Sequence, residues 1–448
     1  MQMGTVPWTV YAPTHRKEHW KLPDISWKTV EMKVKRLQMR IAKAAKTKRY
    51  RTMRSLQWLL AHSLLAKLLA IRRVTSSKGK NTPGIDGVVW KTSRQKFDAL
   101  KTLRQRGYKA SALRRVYILK KDGKLRPLGI PTMRDRAMQA LYALTLEPVA
   151  ETWADKNSYG FRPLRRCADA IEQIFLCLGQ RYSSEWVLEA DIASCFDMIS
   201  HQWLLENIPV DKRILSQWLK AGFMDKGELF PTLRGTPQGG VISPQFMNMT
   251  LDGLERTIFQ KAPRNIRGTN LSSGINVIRY ADDFVVTAKN PELLKEKVLS
   301  VIEAFLEQRG LSLSKEKTLI THVSDDFTFL GQHVRKYKNG KLIIKPSSAA
   351  LKGIRAKLKQ ITKDHCGKDA WTMIERLNQT IRGWCHYHRH VCSSATFSVV
   401  DNWLFYQIKR WIHYCHPIKD GHGPGADIIV TITVVTGHSM THERMPET

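Results

Sequence analysis

The sequence predicts a mixed protein, α+β or α/β through its middle, with a basic helical segment ahead of that core and an all-helical segment behind it. Three observations carry this reading. Residues 110–345 alternate short β-prone runs with helical stretches, apolar residues between Met53 and Ile71 recur at helical spacing, and three further amphipathic stripes follow Pro346. With 448 residues, 42% hydrophobic and 25% charged, the chain can bury a sizeable core and fits about three domains of roughly 150 residues each. Disorder throughout is excluded.

Charge narrows the class further. Lys and Arg number 73 against 39 Asp and Glu, a formal +34, and so large an excess points to a polyanionic partner, nucleic acid before any other. No membrane is expected, since no apolar run approaches the roughly 18 residues of a spanning helix and Met1–Trp20 lacks the apolar stretch of a signal peptide. Seven cysteines, an odd number without a CxxC pair, argue against a secreted disulfide framework and for the reducing cytoplasm.

Taken in order, residues 1–80 hold 19 Lys and Arg against Glu18, Asp24 and Glu31, a net of +16, and read as an arm for phosphates. Within it Met53, Leu56, Leu60, Leu64, Leu68 and Ile71 line one face of a helix, with Arg and Lys on the others. KNTPGIDG (80–87) is a loop signal. Strands are expected at RRVYIL (114–119), at EWVLEADI (185–192), on both sides of YADD in INVIRYADDFVVTA (275–288), and at GKLIIK (340–345). After Pro346 the stripes Leu351/Ile354/Leu358/Ile361, Trp371/Ile374/Leu377/Ile381/Trp384 and Phe397/Val400/Leu404/Ile408/Trp411 predict a small helical bundle. In WCHYHRHVC (384–392) His386 and His390 stand at the i, i+4 spacing two zinc ligands could use, although a basic helix whose histidines face RNA or solvent explains them more simply. The last thirty residues, with two basic and four acidic side chains around IIVTITVV (428–435), read as a foreign or poorly packed tail.

The chemistry is expected at three carboxylates. YADD (280–283) sets Asp282 and Asp283 between two β-prone runs, the place of a hairpin tip. Adjacent anions repel, so a pair inside an apolar hairpin calls for a cation. A second apolar run ends on Asp191, five residues before Phe196. Three carboxylates on two strand ends can hold two Mg²⁺ ions about 4 Å apart, and oxygen ligands without Cys or His favour Mg²⁺ over zinc. Asp191 read only as a helix cap would leave the other two acids unexplained.

Nine motifs in order extend this: GKNTPGIDG (79–87), KLRPLGIPTMRDRAMQ (124–139), SYGFRP (158–163), EADIASCFD (189–197), GTPQGGVISP (235–244), RYADDF (279–284), GLSLSKEKT (310–318), FLG (329–331) and LNQTIRGWCHYHRH (377–390). In them the chain resembles the group II intron reverse transcriptase/maturase family, across residues 28–417. The resemblance implies an α+β right-hand polymerase: a basic helical N-terminal extension (1–75), fingers and palm (76–345), and an all-α thumb or maturase domain (346–417) ahead of an atypical tail (418–448). It implies RNA-directed DNA synthesis on intron RNA and help with that RNA's splicing. Asp191 and Asp282 would bind both Mg²⁺ ions, with Asp283 in support and the Ile192 carbonyl available to the second.

By the same resemblance Lys120 and Arg126 would neutralise the triphosphate, Phe196 would gate against a 2′-hydroxyl, and Gln238 with the glycines of GTPQGG would let backbone approach the nascent base pair. Tyr159 and Arg162 would touch the template, and Arg382 and Trp384 the RNA; Tyr159, Phe161 and Phe196 could equally be core aromatics. The partners implied are intron RNA, a DNA target or primer and deoxynucleoside triphosphates, and a homodimer stays open. Leu164 and Ala193 depart from the family's residues there, and past His416–Pro417 its basic DNA-binding segment and HNH nuclease pattern do not follow. The competing readings are a non-enzymatic RNA-binding splicing cofactor and a truncated retroelement remnant.

Overall fold

The structure, a computed structural model, describes residues 26–119, 123, 125–262, 272–367 and 369–415. Lys120 and the 418–448 tail lie outside the described residues. The chain divides into two units, residues up to 173 with 186–320, and 174–185 with residues from 321 on.

The first unit begins with three helices. α1 (Trp27–Lys46) is capped by the Ser26 hydroxyl and buries Val30, Val34 and Ile41. The single helix expected over Met53–Ile71 is two, α2 (Tyr50–His62) and α3 (Leu64–Ser76), parted by Ser63 in an extended conformation. That break resets the helical phase. Met53, Leu56, Leu60, Leu68 and Ile71 are buried as their spacing predicts, while Leu64, first residue of the new helix, is 59% exposed. After α4 (Ser93–Thr102), held by a Thr92/Gln95 capping box, β1 (Leu113–Leu119) and β2 (Leu125–Ile130) form an antiparallel hairpin.

α5 (Met133–Trp153) is buried on nearly every side, which explains why no amphipathic stripe marks it in the sequence. Pro148 sits inside it. A proline has no N–H for the carbonyl four residues back, and the Gln38 amide of α1 donates to that Leu144 oxygen instead, at 2.8 Å. Val34, Ile41, Met53, Leu60 and Ile71 of α1–α3 belong to the same core as α5.

Next come α6 (Cys167–Leu178), β3 (Trp186–Asp191), α7 (Cys195–Met198), α8 (His201–Asn207), α9 (Lys212–Leu219), the hairpin of β4 (Phe223–Asp225) and β5 (Glu228–Phe230), α10 (Ser243–Leu251) and α11 (Leu254–Lys261). β6 (Asn276–Tyr280) and β7 (Asp283–Ala288) form the expected hairpin, and the strand order β6-β7-β3 brings the two acid-bearing runs side by side. A π-helical turn, Leu293–Val298, leads into α12 (Leu299–Glu307), and β8 (Leu319–His322) follows.

In the second unit β9 (Phe327–Phe329), β10 (Gln332–Lys336) and β11 (Leu342–Pro346) make a three-stranded antiparallel sheet. Behind it α13 (Ser348–Asp364), α14 (Ala370–His388) and α15 (Ser394–Cys415) share a core. On α14 the buried row is Met373, Leu377, Ile381 and Cys385; Trp371, counted in the expected stripe, is 75% exposed. It is the second residue of the helix, and the buried row begins two residues later at Met373. No helix among the described residues is long and apolar enough to cross a membrane.

Candidate active site

The acids meet because of strand register. β3 runs antiparallel to β7 with Asp191 opposite Asp283, and β6 pairs with β7 so that Ala281 and Asp282 form the hairpin tip. Ala281 takes a φ of +60°, a left-handed conformation that costs a non-glycine residue about 1 kcal/mol. Its neighbours hold it there. Arg279, 2% exposed, donates to the Ala281 carbonyl (3.2 Å) and to Asn248 Oδ1 (3.1 Å), and pairs with Asp252. Gly160 of SYGFRP passes beneath, so close that a Cβ there would lie 2.4 Å from the Ala281 nitrogen.

A third segment closes the site. The Ala193 amide donates to the Ser312 carbonyl (2.9 Å) and the Ser314 amide to the Asp191 carbonyl (2.8 Å), which lays GLSLSKEKT along the end of β3. Lys317 thereby reaches Asp191, with Nζ 2.6 Å from Oδ2. Loss of solvent raises Asp282 above the usual carboxylate range, the Asp191 charge adds to this, and Arg126 and Lys317 oppose it. Asp283 is raised as well, first by desolvation and then by the charges of Asp282 and Asp191. The hydrogen bond to Asp191 raises Lys317 in turn.

This cluster holds more negative charge than its surroundings neutralise, and its donors are all oxygen, so its chemistry fits a hard divalent cation. Among the described residues no three His, Cys, Asp or Glu side chains are already grouped around a metal position. Asp191 is turned to Lys317 instead, and the lysine side chain, 66% exposed, has water to move into.

Beside the acids, Gln238 joins two elements: it accepts from Arg126 Nε (2.7 Å) and donates to Asp197 Oδ2 (3.1 Å). Its loop is pinned on both sides. The Thr236 amide donates to the Phe196 carbonyl, the Gly129 amide to the Gln238 carbonyl, and a Cβ on Gly235 would strike Asp197 backbone at 2.5 Å. Phe196 is 8% exposed and meets Phe161 edge to face.

Residues 118–334 match the family model described as reverse transcriptase (RNA-dependent DNA polymerase), residues 20–103 that for the N-terminal domain of reverse transcriptase, and residues 351–424 that for the group II intron maturase-specific domain. Protein YkfC of Escherichia coli (strain K12) is 36% identical over 304 residues, covering 59% of this chain and 79% of that one. The chain belongs to the group II intron reverse transcriptase/maturase family. The group II intron-encoded protein LtrA of Lactococcus lactis subsp. cremoris is 29% identical over 333 residues, 61% of this chain; the chain spans only 55% of that relative's length. Among solved structures, telomerase from Candida albicans, in complex with a TWJ fragment of telomeric RNA, aligns with a TM-score of 0.41 at 13% identity, over 68% of this chain and 57% of the other.

The fold of this reverse transcriptase/maturase gathers Asp191, Ile192, Asp282, Asp283, Arg126, Phe196 and Gln238 within its first unit. Arg162, expected at the template, is placed differently: 6% exposed, it pairs with Glu151 (2.8 Å) and donates to the Asp155 and Ser158 carbonyls, so its charge serves the turn that carries Gly160. Tyr159 is 6% exposed, with Arg165 over its ring. On α14 Arg382 and His386 face solvent and Trp384 packs against His388 and Phe397; His390, also exposed, lies past the end of the helix, so His386 and His390 do not share a helical face. Sequence reasoning missed Lys317, Arg279 and Asp197. A cation inside the apolar run VIRY was a signal for Arg279; one of the two lysines of SKEKT was none for Lys317.

Proposed function

We propose that the chain is an RNA-directed DNA polymerase that copies group II intron RNA into DNA and assists the splicing of that RNA. The observation that carries this reading is the convergence of Asp191, Asp282 and Asp283 at adjoining strand ends, next to the Arg126–Gln238–Asp197 chain. The reverse transcriptase family uses divalent metal ions. Two Mg²⁺ ions, held by Asp191 and Asp282 with Asp283 and the Ile192 carbonyl in support, would activate a primer 3′-hydroxyl and stabilise the departing pyrophosphate.

The remaining work falls to the chain's own residues. Lys317 holds Asp191 in an ion pair and, if a cation took that carboxylate, would remain nearby as a positive charge. Arg126, oriented by Gln238, offers its guanidinium to the triphosphate, and Lys120 adds a second cation. Phe196, backed by Phe161, would stand against a 2′-hydroxyl. Arg162 shapes the turn that, with Tyr159, supports the template, while Arg382 and Trp384 serve the RNA side. The division into a basic extension (1–75), fingers and palm (76–345), maturase domain (346–417) and tail (418–448) belongs to the same proposal. So do the partners: intron RNA, a DNA target or primer, deoxynucleoside triphosphates and, as an open state, a homodimer, in the cytoplasm.

Primer extension on an RNA template tests it. Purified protein with Mg²⁺ should make cDNA, and Asp282→Asn should lower the rate roughly 10²-fold or more while RNA affinity stays within a few fold. An inactive wild type that still binds RNA would turn the reading to a non-enzymatic splicing cofactor.

A further inference from the structure

The second unit contains a cavity that the polymerase reading leaves without a role. It is a groove of about 520 Å³ between α13 and α15, within the range of about 300–1,000 Å³ usual for small-ligand sites. Its α15 wall carries Asn402 and Tyr406 with Arg410 in one i, i+4 row and Trp403 with Gln407 in the next, and Arg355 faces them from α13. Among the described residues no acidic side chain lines it, so both guanidiniums act on whatever enters.

Arg355 is held in the wall of the groove. Its guanidinium lies over the Trp403 ring, 5.9 Å from the centroid, and its Nε is buried with no hydrogen-bond partner. The groove therefore offers an anion two arginines, a planar ring two aromatic surfaces, and polar ring edges two side-chain amides. Tyr406 is 53% exposed, so its ring is open to a partner in the groove. A planar base with a phosphate attached fits all three features together.

We propose that this groove receives a single unpaired nucleotide of an RNA strand, its base against Tyr406 and Trp403, its edge read by Asn402 and Gln407, and its phosphate at the Arg410 and Arg355 guanidiniums. The inference rests on the RNA-binding part of the proposed function and deepens it. Bases inside a helix are stacked on one another and cannot enter, so the site selects bulges and loops from duplex RNA. A free nucleotide has the same chemistry, and the test separates the two sources.

The full chain is titrated by fluorescence anisotropy with an RNA hairpin carrying a one-nucleotide bulge, with the same hairpin fully paired, and with AMP as competitor. The bulged hairpin should bind more tightly than the paired one, and Tyr406→Ala and Arg410→Gln should each weaken it on the order of tenfold, while Tyr406→Phe, which keeps the ring, should hold within about twofold of wild type. Circular dichroism establishes that each variant is folded. Equal wild-type affinity for both hairpins would overturn the proposal, as would variant losses of the same size on both. Micromolar AMP binding without a bulge preference would also overturn it, assigning the groove to a free nucleotide. Primer extension by the unaltered chain is measured alongside: its absence would sink the polymerase reading and leave a bulge preference standing.

Discussion

Asp191 already has a partner in Lys317, and the proposed reaction requires it to accept another. The lysine supplies part of the charge that a divalent cation would bring, so the two compete for one carboxylate. Lys317→Met should therefore tighten Mn²⁺ binding to the nucleic-acid-free protein several-fold, read by electron paramagnetic resonance titration; an unchanged affinity would mean that the ion pair gives way at no cost. Phe196 has a double role to separate. At 8% exposure its truncation to alanine leaves a cavity worth about 3 kcal/mol of stability. If the ring also excludes a 2′-hydroxyl, the kcat/KM preference for deoxynucleotides should fall roughly 10²-fold as well. A drop in melting temperature with selectivity intact would make it packing alone.

Among the elements, α5 is the one around which the first unit is built, and it buries a titratable group. Glu147 is 7% exposed, and burial pushes it up to about 7, with Arg73 opposing. Unfolded, it titrates near the ordinary 4.5, so between those values the folded chain binds more protons than the unfolded one. Stability therefore falls as pH rises from about 4.5 to about 7, and stays lower above that. Glu147→Gln removes the titration, so its unfolding free energy, read by denaturant titration, should gain on wild type between pH 5 and pH 8 by an amount on the order of 2–3 kcal/mol. A gap that does not change with pH would place the proton elsewhere. The β6–β7 hairpin teaches a different lesson: a strained Ala281 persists because Arg279, Asn248 and Gly160 enclose it on three sides.

For the molecule as a whole, the excess of +34 governs binding to nucleic acid. The exposed face of α1 carries Arg36, Arg40 and Lys43, whose replacement leaves the buried face intact. RNA affinity should fall steeply with salt, and replacing all three by Gln should reduce the log–log slope by roughly 1 for each phosphate that is no longer neutralised. A slope that does not move would shift the phosphate binding to other basic surfaces. Deleting the whole segment is a poorer experiment, because Val34, Ile41, Leu60 and Ile71 belong to the core that contains α5.

Local patterns were enough for much of this protein. The strands around YADD, the strand ending on Asp191 and the stripes of α13 and α15 follow from side-chain period alone, and ordered motifs carried the family. Other features depend on partners that the chain brings from far away. The break at Ser63 exposes Leu64 in the middle of an unbroken apolar rhythm, and α5 shows no stripe because every side of it meets protein. Gln38 satisfies a carbonyl 106 residues distant, and Lys317 pairs with an aspartate 126 residues away. Periodicity reports which face of an element avoids water; it says nothing about which polar group waits on the other side. The sequence by itself thus determined where the acids are and on what elements they ride, while only the closing of long loops by the tertiary fold decided which cations stand against them.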